Sequence, residues 1–164
     1  MLYFKGKHYF FKWHSYSFWV WYSNKIPFTY DYAEKDTDVF PYDSEHGTHV
    51  AGIIAGNDDE ITGVAPNAQL AIMKVFSDAK QGAKDSWIIA ALEDCVTLGV
   101  DVINMSLGSA CGFTREADKE RTNQVYDAVR EAGISLIVAA ANDYNSTHGS
   151  TKNGSLGLTS NPDS

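Results

Sequence analysis

Two histidines open a run of small and apolar residues, SEHGTHVAGIIAG, between Ser44 and Gly56. His46 and His49 stand three positions apart, and the Val and Ile residues that follow them have the spacing of a helix. Imidazole is the side chain best suited to take up and release a proton near neutral pH. The pattern therefore indicates a general acid–base role for His46. The alternative is a core histidine whose ring nitrogens are hydrogen-bonded inside the protein.

Metal and phosphate binding fit this stretch less well. A zinc helix of the HExxH type places its two histidines four positions apart with a glutamate between them, and neither condition is met here. No GxGxxG pattern occurs, and neither Gly47 nor Gly52 leads into the Gly-Lys-Ser/Thr of a phosphate loop. A proton-transfer role for His46 and a packing role for His49 remain.

The predicted histidine helix is small or apolar on nearly every side, because Val50, Ile53 and Ile54 are interleaved with Gly and Ala. A helix of this kind is expected to be deeply packed. Deep packing would hold His46 rigidly at the rim of the core.

Downstream of residue 68, short apolar runs alternate with helical periodicity. Helices are predicted from Asp85 or Ser86 to a stop at Gly99, and over 114–132 with a stop at Gly133. Strands are predicted over 69–76, 100–107 and 134–141, and the last is so apolar that both its faces should be covered. The alternation predicts an α/β fold with a parallel sheet.

Polar residues follow two of these strands, where parallel sheets collect their functional groups. Ser106 opens the stretch SLGSACGF, and Asn142 opens the stretch NDYNSTHGS. Both are candidate site residues, with a turn hydroxyl and a loop amide as the alternatives.

Length and charge restrict the class of protein. A chain of 164 residues suits one domain or part of one. Residues 23–164 carry a net charge of −11, from 10 Lys and Arg against 21 Asp and Glu, which argues against a nucleic-acid partner.

The two cysteines, Cys95 and Cys111, are too few for a disulfide framework and lack the CxxC spacing of a zinc site. Cys95 falls on an apolar helix face and is predicted to be a core residue.

The N-terminal segment, residues 1–23, differs in composition from residues 24–164, and we treat the two as separate parts. Residues 1–22 hold 11 of the 21 aromatic side chains. Lys, His and Ser interrupt every apolar run, so the segment fits neither a signal peptide nor a membrane span. It is either an aromatic edge strand or the mis-read start of a truncated gene, and we favour the second.

Four stretches together resemble the subtilisin-like serine peptidases: HGTHVAGIIAG, GVAPNAQLAIMKVF, VINMSLGS and ISLIVAAAND, in the order and spacing of that family. NKIPFTYDYAEKDTDV is similar to the lactocepin-like and complement-factor-cleaving cell-envelope peptidases of Gram-positive bacteria. The resemblance implies a three-layer α/β sandwich with a mostly parallel sheet. We expect residues 24–164 to form the central part of such a domain, incomplete at both ends.

The resemblance also implies roles for particular residues. His46 matches the general base of the triad, His49 matches a packing histidine, and Asn142 matches the oxyanion-hole asparagine. The strand end that pairs with the backbone of a polypeptide substrate corresponds to Ser106, Leu107 and Gly108. The family is secreted or attached to the cell wall. No cofactor is identifiable; calcium is implied for some members only, and Asp58, Asp59 and Glu60 are read as a solvated turn.

Two triad motifs of the family do not occur in this sequence. No Asp-Ser/Thr-Gly precedes His46, and no Gly-Thr-Ser-Met/Ala follows Asn142. Because triad members act as a unit, we expect the isolated chain to be inactive. Ala141 stands where the family usually has glycine, which would shift Asn142 slightly. A non-catalytic peptide-binding module and, with less support, a small-ligand α/β domain are the alternative interpretations.

Overall fold

The computed structural model describes residues 2–4, 23–42, 44–79, 82–108 and 116–139, with side chains from 23 onward except over 116–123. The chain divides into two compact units, Met1–Ala91 and Leu92–Ser164. In chain order the elements are β1 Leu2–Phe4, β2 Phe28–Asp31, α1 His46–Ala55, β3 Gln69–Lys74, α2 Asp85–Leu98, β4 Val102–Met105, α3 Glu116–Glu131 and β5 Ser135–Val138. None of the helices in these ranges is long and apolar enough to cross a membrane.

Strand β3 is the central strand of the first unit. It pairs in parallel with β2, so that Phe28 lies opposite Ala71 and Asp31 opposite Lys74. It also pairs antiparallel with β1, which places Leu2 opposite Ala71. The predicted buried strand is thus confirmed, and Leu2–Phe4 form a strand that is not at an edge of the sheet. Residues 5–22 lie outside the described residues.

Helix α1 packs on β3 through its C-terminal half only. Ala55 is its one buried residue, at 1% exposure. The cluster around it joins both elements and the neighbouring loops, and consists of Ala55, Ala68, Leu70, Ile26, Ala51, Ile54, Ala65 and Ile72. Ile53 is 66% exposed, and His46 and His49 are exposed. The expectation of deep packing on all sides was therefore wrong, because within the described residues only one stripe of α1 meets another element.

The loop after α1 folds back tightly on the end of the helix. The backbone N–H of Val64 donates to the carbonyl of Ile53 at 2.9 Å, and that of Gly63 donates to Gly56 at 2.9 Å. These bonds satisfy carbonyl groups that the end of a helix leaves without partners. The approach is close enough that a Cβ on Gly63 would lie 2.6 Å from the backbone nitrogen of Ala55. Glycine is required there.

Helices α2 and α3 end as their sequences predict. Gly99 has φ +64° and Gly133 has φ +74°, conformations that favour glycine. The next residue donates back into the last turn in each case, Val100 to Cys95 and Ile134 to Val129, both at 3.2 Å. Four residues of α2 are buried, Ile88, Ala91, Leu92 and Cys95, and the predicted core position of Cys95 is thus confirmed.

Strands β4 and β5 pair in parallel in the second unit, from Val102 opposite Ser135 to Met105 opposite Val138. Ile103 is fully buried, but Ile137 of β5 is 56% exposed. The prediction that β5 is covered on both faces was therefore wrong. Helix α3 covers one face, and the residues that the structure describes supply no second cover. The predicted α/β class with mostly parallel strand pairs is confirmed.

Candidate active site

His46 is the first residue of α1, and its side chain is exposed. Glu45 occupies the N-cap position but makes no side-chain hydrogen bond to the helix. The nearest polar support is the Ser44 hydroxyl, which accepts the backbone N–H of His46 at a long 3.4 Å. The imidazole is thus presented at an open helix terminus, where a substrate could reach it.

His49 does not pack. Its side chain is 73% exposed, and its Nε2 lies 3.9 Å from Oε2 of Glu45, which is itself 77% exposed. A pair of this kind attracts only when the histidine is protonated, and it contributes little in contact with water. The packing role implied for His49 is therefore corrected: in this structure it is a surface residue, because α1 buries the opposite stripe.

Ser106, Leu107 and Gly108 follow directly on β4, as predicted. The parallel ladder continues to the bond from the N–H of Ala139 to the carbonyl of Met105, at 3.1 Å. The Nδ2 of Asn104 donates to the hydroxyl of Ser106 at 2.9 Å, which orients that side chain at the strand end. Asn104 was not singled out from the sequence, where it reads as a strand residue.

The predicted site residues fall in different parts of the chain. His46 belongs to the first unit, and Ser106, Leu107 and Gly108 belong to the second. Asn142 lies outside the described residues.

A buried charge network at the carboxyl ends of β2 and β3 was missed by the sequence analysis. Oδ2 of Asp31 lies 2.9 Å from Nζ of Lys74, with the two side chains 1% and 15% exposed. The same ammonium also contacts Asp78, whose side chain is 30% exposed. Burial lowers the pKa of Lys74, but hydrogen bonds and charge attraction from Asp78 and Asp31 outweigh it, so that the pKa is raised. The ammonium form is therefore the stable one.

The network also shapes the connection from β2 to α1. The second carboxylate oxygen of Asp31, Oδ1, accepts the backbone N–H groups of Ala33 at 2.8 Å and Glu34 at 3.0 Å. The hydroxyl of Ser77 donates to Glu34 at 2.6 Å, which links the loops that follow the two strands. Side chain and backbone thus fix the start of the connection.

An exposed aromatic pair lies near the end of the same connection. The rings of Phe40 and Tyr42 meet edge to face with centroids 5.1 Å apart. Phe40 donates its backbone N–H to Asp38 and Tyr42 donates its hydroxyl, and these bonds lower the pKa of the Asp38 carboxyl. The bond to Asp38 raises the pKa of the Tyr42 hydroxyl. Asp38, Phe40 and Tyr42 are therefore tied together by their own polar groups.

Comparison with known proteins identifies the family. Residues 20–161 match the sequence profile described as the subtilase family. The chain belongs to the subtilase family. This confirms the resemblance inferred from the histidine stretch and the strands after it, and it agrees with the subtilisin-like α/β fold.

Individual subtilases narrow the relationship. The chain is 37% identical over 144 residues to the PI-type proteinase of Lactococcus lactis subsp. cremoris, a match that covers 82% of this chain and 7% of that protein. It is 34% identical over 139 residues to the C5a peptidase of Streptococcus pyogenes, covering 79% of this chain and 12% of that protein. Both relatives agree with the predicted subgroup. The chain spans only a small part of the length of either.

Among solved structures, the prenylagaramide maturation protease PagA matches with 33% identity and a TM-score of 0.49. The match covers 60% of this chain and 35% of that one.

The acidic turn after α1 uses one of its carboxylates for hydrogen bonds within the turn. Oδ1 of Asp58 accepts the backbone N–H groups of Ile61 at 2.7 Å and Glu60 at 2.8 Å, and these bonds lower the pKa of the carboxyl. Its oxygen is thus used within the turn. Within the described ranges, no three His, Cys, Asp or Glu side chains are grouped to hold a metal ion.

Proposed function

We propose that this chain is the central part of a serine endopeptidase domain in which His46 is the general base. The observation that carries the proposal is the family match over residues 20–161, which includes an exposed histidine at the first position of α1. In this reaction the imidazole takes the proton of a serine hydroxyl as it attacks the peptide carbonyl. The imidazole then returns the proton to the leaving amine, and water hydrolyses the acyl-enzyme.

The substrate class that we propose is a polypeptide bound in extended form. Ser106, Leu107 and Gly108 follow directly on β4 in the chain, and we propose that a substrate strand pairs with their backbone groups. We assign Asn142 to the oxyanion hole, where a side-chain N–H stabilises the negative charge of the tetrahedral intermediate. No cofactor takes part in these steps.

The 164 residues by themselves are proposed to be inactive. The sequence contains neither the Asp-Ser/Thr-Gly nor the Gly-Thr-Ser-Met/Ala motif of the family. Without a serine nucleophile, His46 has no hydroxyl to activate. The second candidate function is peptide binding without hydrolysis, which the ordered strand end at Ser106 favours. By family, we propose a secreted or wall-associated location.

DNA sequence on either side of the reading frame tests the parent activity. The proposal expects an Asp-Ser/Thr-Gly motif upstream in frame and a Gly-Thr-Ser-Met/Ala motif downstream. In the joined domain, His46→Ala should abolish cleavage of a blocked peptide, whereas His49→Ala, at an exposed position on the same helix, should retain it. Equal activity of the two variants would refute the assignment of the base.

A fluorophosphonate probe tests the isolated chain directly, since it labels only an activated serine. We expect no labelling above that of a denatured sample. Stoichiometric labelling would show that the chain carries its own nucleophile. A blocked tetrapeptide added to the isotope-labelled chain separates the second candidate, because binding without cleavage should shift the amide resonances of Ser106, Leu107 and Gly108.

A further inference from the structure

Within the described residues, the N-terminal turn of α1 has little support from side chains: the Ser44 hydroxyl accepts the His46 N–H at a long 3.4 Å, and no side chain of the turn packs in the core. Glu45 makes no side-chain hydrogen bond to the helix and only a 3.9 Å contact with His49, and residues 46–49 are exposed. The contacts of α1 with the core come from Ala51, Ile54 and Ala55, at the other end of the helix. Side-chain caps ordinarily stabilise the first turn. The position of His46 must therefore depend on the connection that leads into it.

One ammonium group reaches both parts of that connection. At the start, Lys74 binds the buried carboxylate of Asp31 at 2.9 Å. Near the end, the ring centroid of Tyr42 lies 5.9 Å from the Lys74 Nζ, which is within the range of a cation–π contact. Three residues stand between Tyr42 and His46 in the sequence, so little chain is left between this contact and α1.

The ammonium itself is fixed. Asp78, four residues further along the chain, also binds it, and the Lys74 side chain is only 15% exposed. An ammonium has three N–H donors, so two carboxylates and the ring face can be served at once. The lysine backbone is in turn held in β3, where its carbonyl accepts the N–H of Tyr32 at 2.8 Å.

We propose that Lys74 is a positioning residue for His46. It joins the start of the β2–α1 connection, at Asp31, to its end, at Tyr42, and thereby holds the first turn of α1 in place. The inference rests on the proposed role of His46 as the general base. A lysine that served only to neutralise Asp31 would stabilise the fold but would leave the order of His46 unchanged when the Tyr42 contact is lost.

The order of His46 can be measured on the intact 164-residue chain by NMR relaxation. The backbone order parameter of His46 is expected at about 0.85 in the wild type and below about 0.6 in Lys74→Met. Lys74→Arg should restore it, because a guanidinium keeps the charge and stacks on aromatic rings. Lys84→Met is the matched control, since Lys84 also lies over an aromatic ring, 4.8 Å from Trp87, but outside the connection.

Tyr42 supplies a second test that does not disturb the buried pair, since the tyrosine is 63% exposed. Tyr42→Leu should lower the order parameter of His46 as Lys74→Met does, with an unchanged urea midpoint. Tyr42→Phe keeps the ring over Lys74 and loses only the hydroxyl bond to Asp38, so it should behave as the wild type. If Lys74→Met fails to fold, the comparison of Tyr42→Leu with Tyr42→Phe still tests the positioning role of Lys74.

Three results would overturn the inference: an unchanged order parameter in Tyr42→Leu, an equal loss in Lys84→Met, or a wild-type value already below about 0.6. A separate experiment, the hydrolysis assay of the joined domain, tests the proposed function. If His46→Ala retained hydrolysis in the joined domain, His46 would not be the base, whatever its order parameter showed.

Discussion

Asp31 and Lys74 face each other across two parallel strands, as paired residues whose charged groups lie 2.9 Å apart. Asp31 is removed from water and Lys74 is 15% exposed, and a carboxylate as buried as that of Asp31 must be paired or it destabilises the fold. The carboxylate also accepts two backbone N–H groups of the loop that follows β2. The pair therefore couples strand register to loop conformation at the sheet edge that precedes α1.

Removal of the buried carboxylate should be costly. We expect Asp31→Ala to lower the free energy of unfolding by about 3–5 kcal/mol, because it leaves Lys74 partly unpaired and two backbone N–H groups without their acceptor. Urea unfolding followed by circular dichroism measures the change. Asp78→Ala is the matched control at a more exposed position on the same ammonium and should cost about 1 kcal/mol or less. Equal losses would contradict the dominant role of Asp31.

The raised pKa of Lys74 predicts a loss of stability at alkaline pH. The contribution is fully present below the unfolded value of 10.5 and is lost as pH rises through the higher folded value. The difference in unfolding free energy between wild type and Lys74→Met should therefore be constant from about pH 7 to 10 and shrink above 10.5. Because the Tyr42 hydroxyl titrates in a similar range, both proteins should carry Tyr42→Phe. If the difference in unfolding free energy grew as pH rose above 10.5, the pKa of Lys74 would be lowered in the folded state and the prediction would be wrong.

Cys95 should be inert in the folded chain. It is fully buried, and burial raises the pKa of its thiol to about 12. At pH 8 about one thiol in ten thousand is then the reactive thiolate. In a Cys111→Ser background, iodoacetamide should leave the native protein unmodified and alkylate it fully in urea, as mass spectrometry would show. Rapid native alkylation would place Cys95 outside the core.

Local signals in the sequence were enough to locate most elements. Gly99 and Gly133 mark the helix ends because a positive φ is intrinsically costly for other residues, and this is encoded by a single residue. Strand β3 is similarly evident from four consecutive apolar residues, 70–73. His46 was found because its stretch is specific to a family, although the spacing of the two histidines left other interpretations open.

Burial and long-range pairing could not be predicted in the same way. Ile53 and Ile137 belong to apolar patterns and yet are exposed, because an apolar side chain is buried only where another element lies against it. Lys74 interrupts an apolar run, and its partner Asp31 lies 43 positions earlier in a polar stretch. Only the register of β2 on β3 brings them together. No short-range pattern contains that information.

The two glycines that bracket the end of α1 should respond oppositely to added methyl groups. A Cβ at Gly63 would lie 2.6 Å from the Ala55 backbone nitrogen and 2.7 Å from the Gly52 carbonyl oxygen, whereas a Cβ at Gly52 would meet nothing within 4 Å. Gly63→Ala should therefore lower the free energy of unfolding by about 1–3 kcal/mol, since backbone must move to admit the methyl group. Gly52→Ala should raise it by up to about 1 kcal/mol, because alanine is the better helix former and no contact opposes it. Urea unfolding of both variants measures the two changes in free energy. A stabilising Gly63→Ala would show that the backbone at Gly63 does not approach Ala55 and Gly52 as closely as the structure describes.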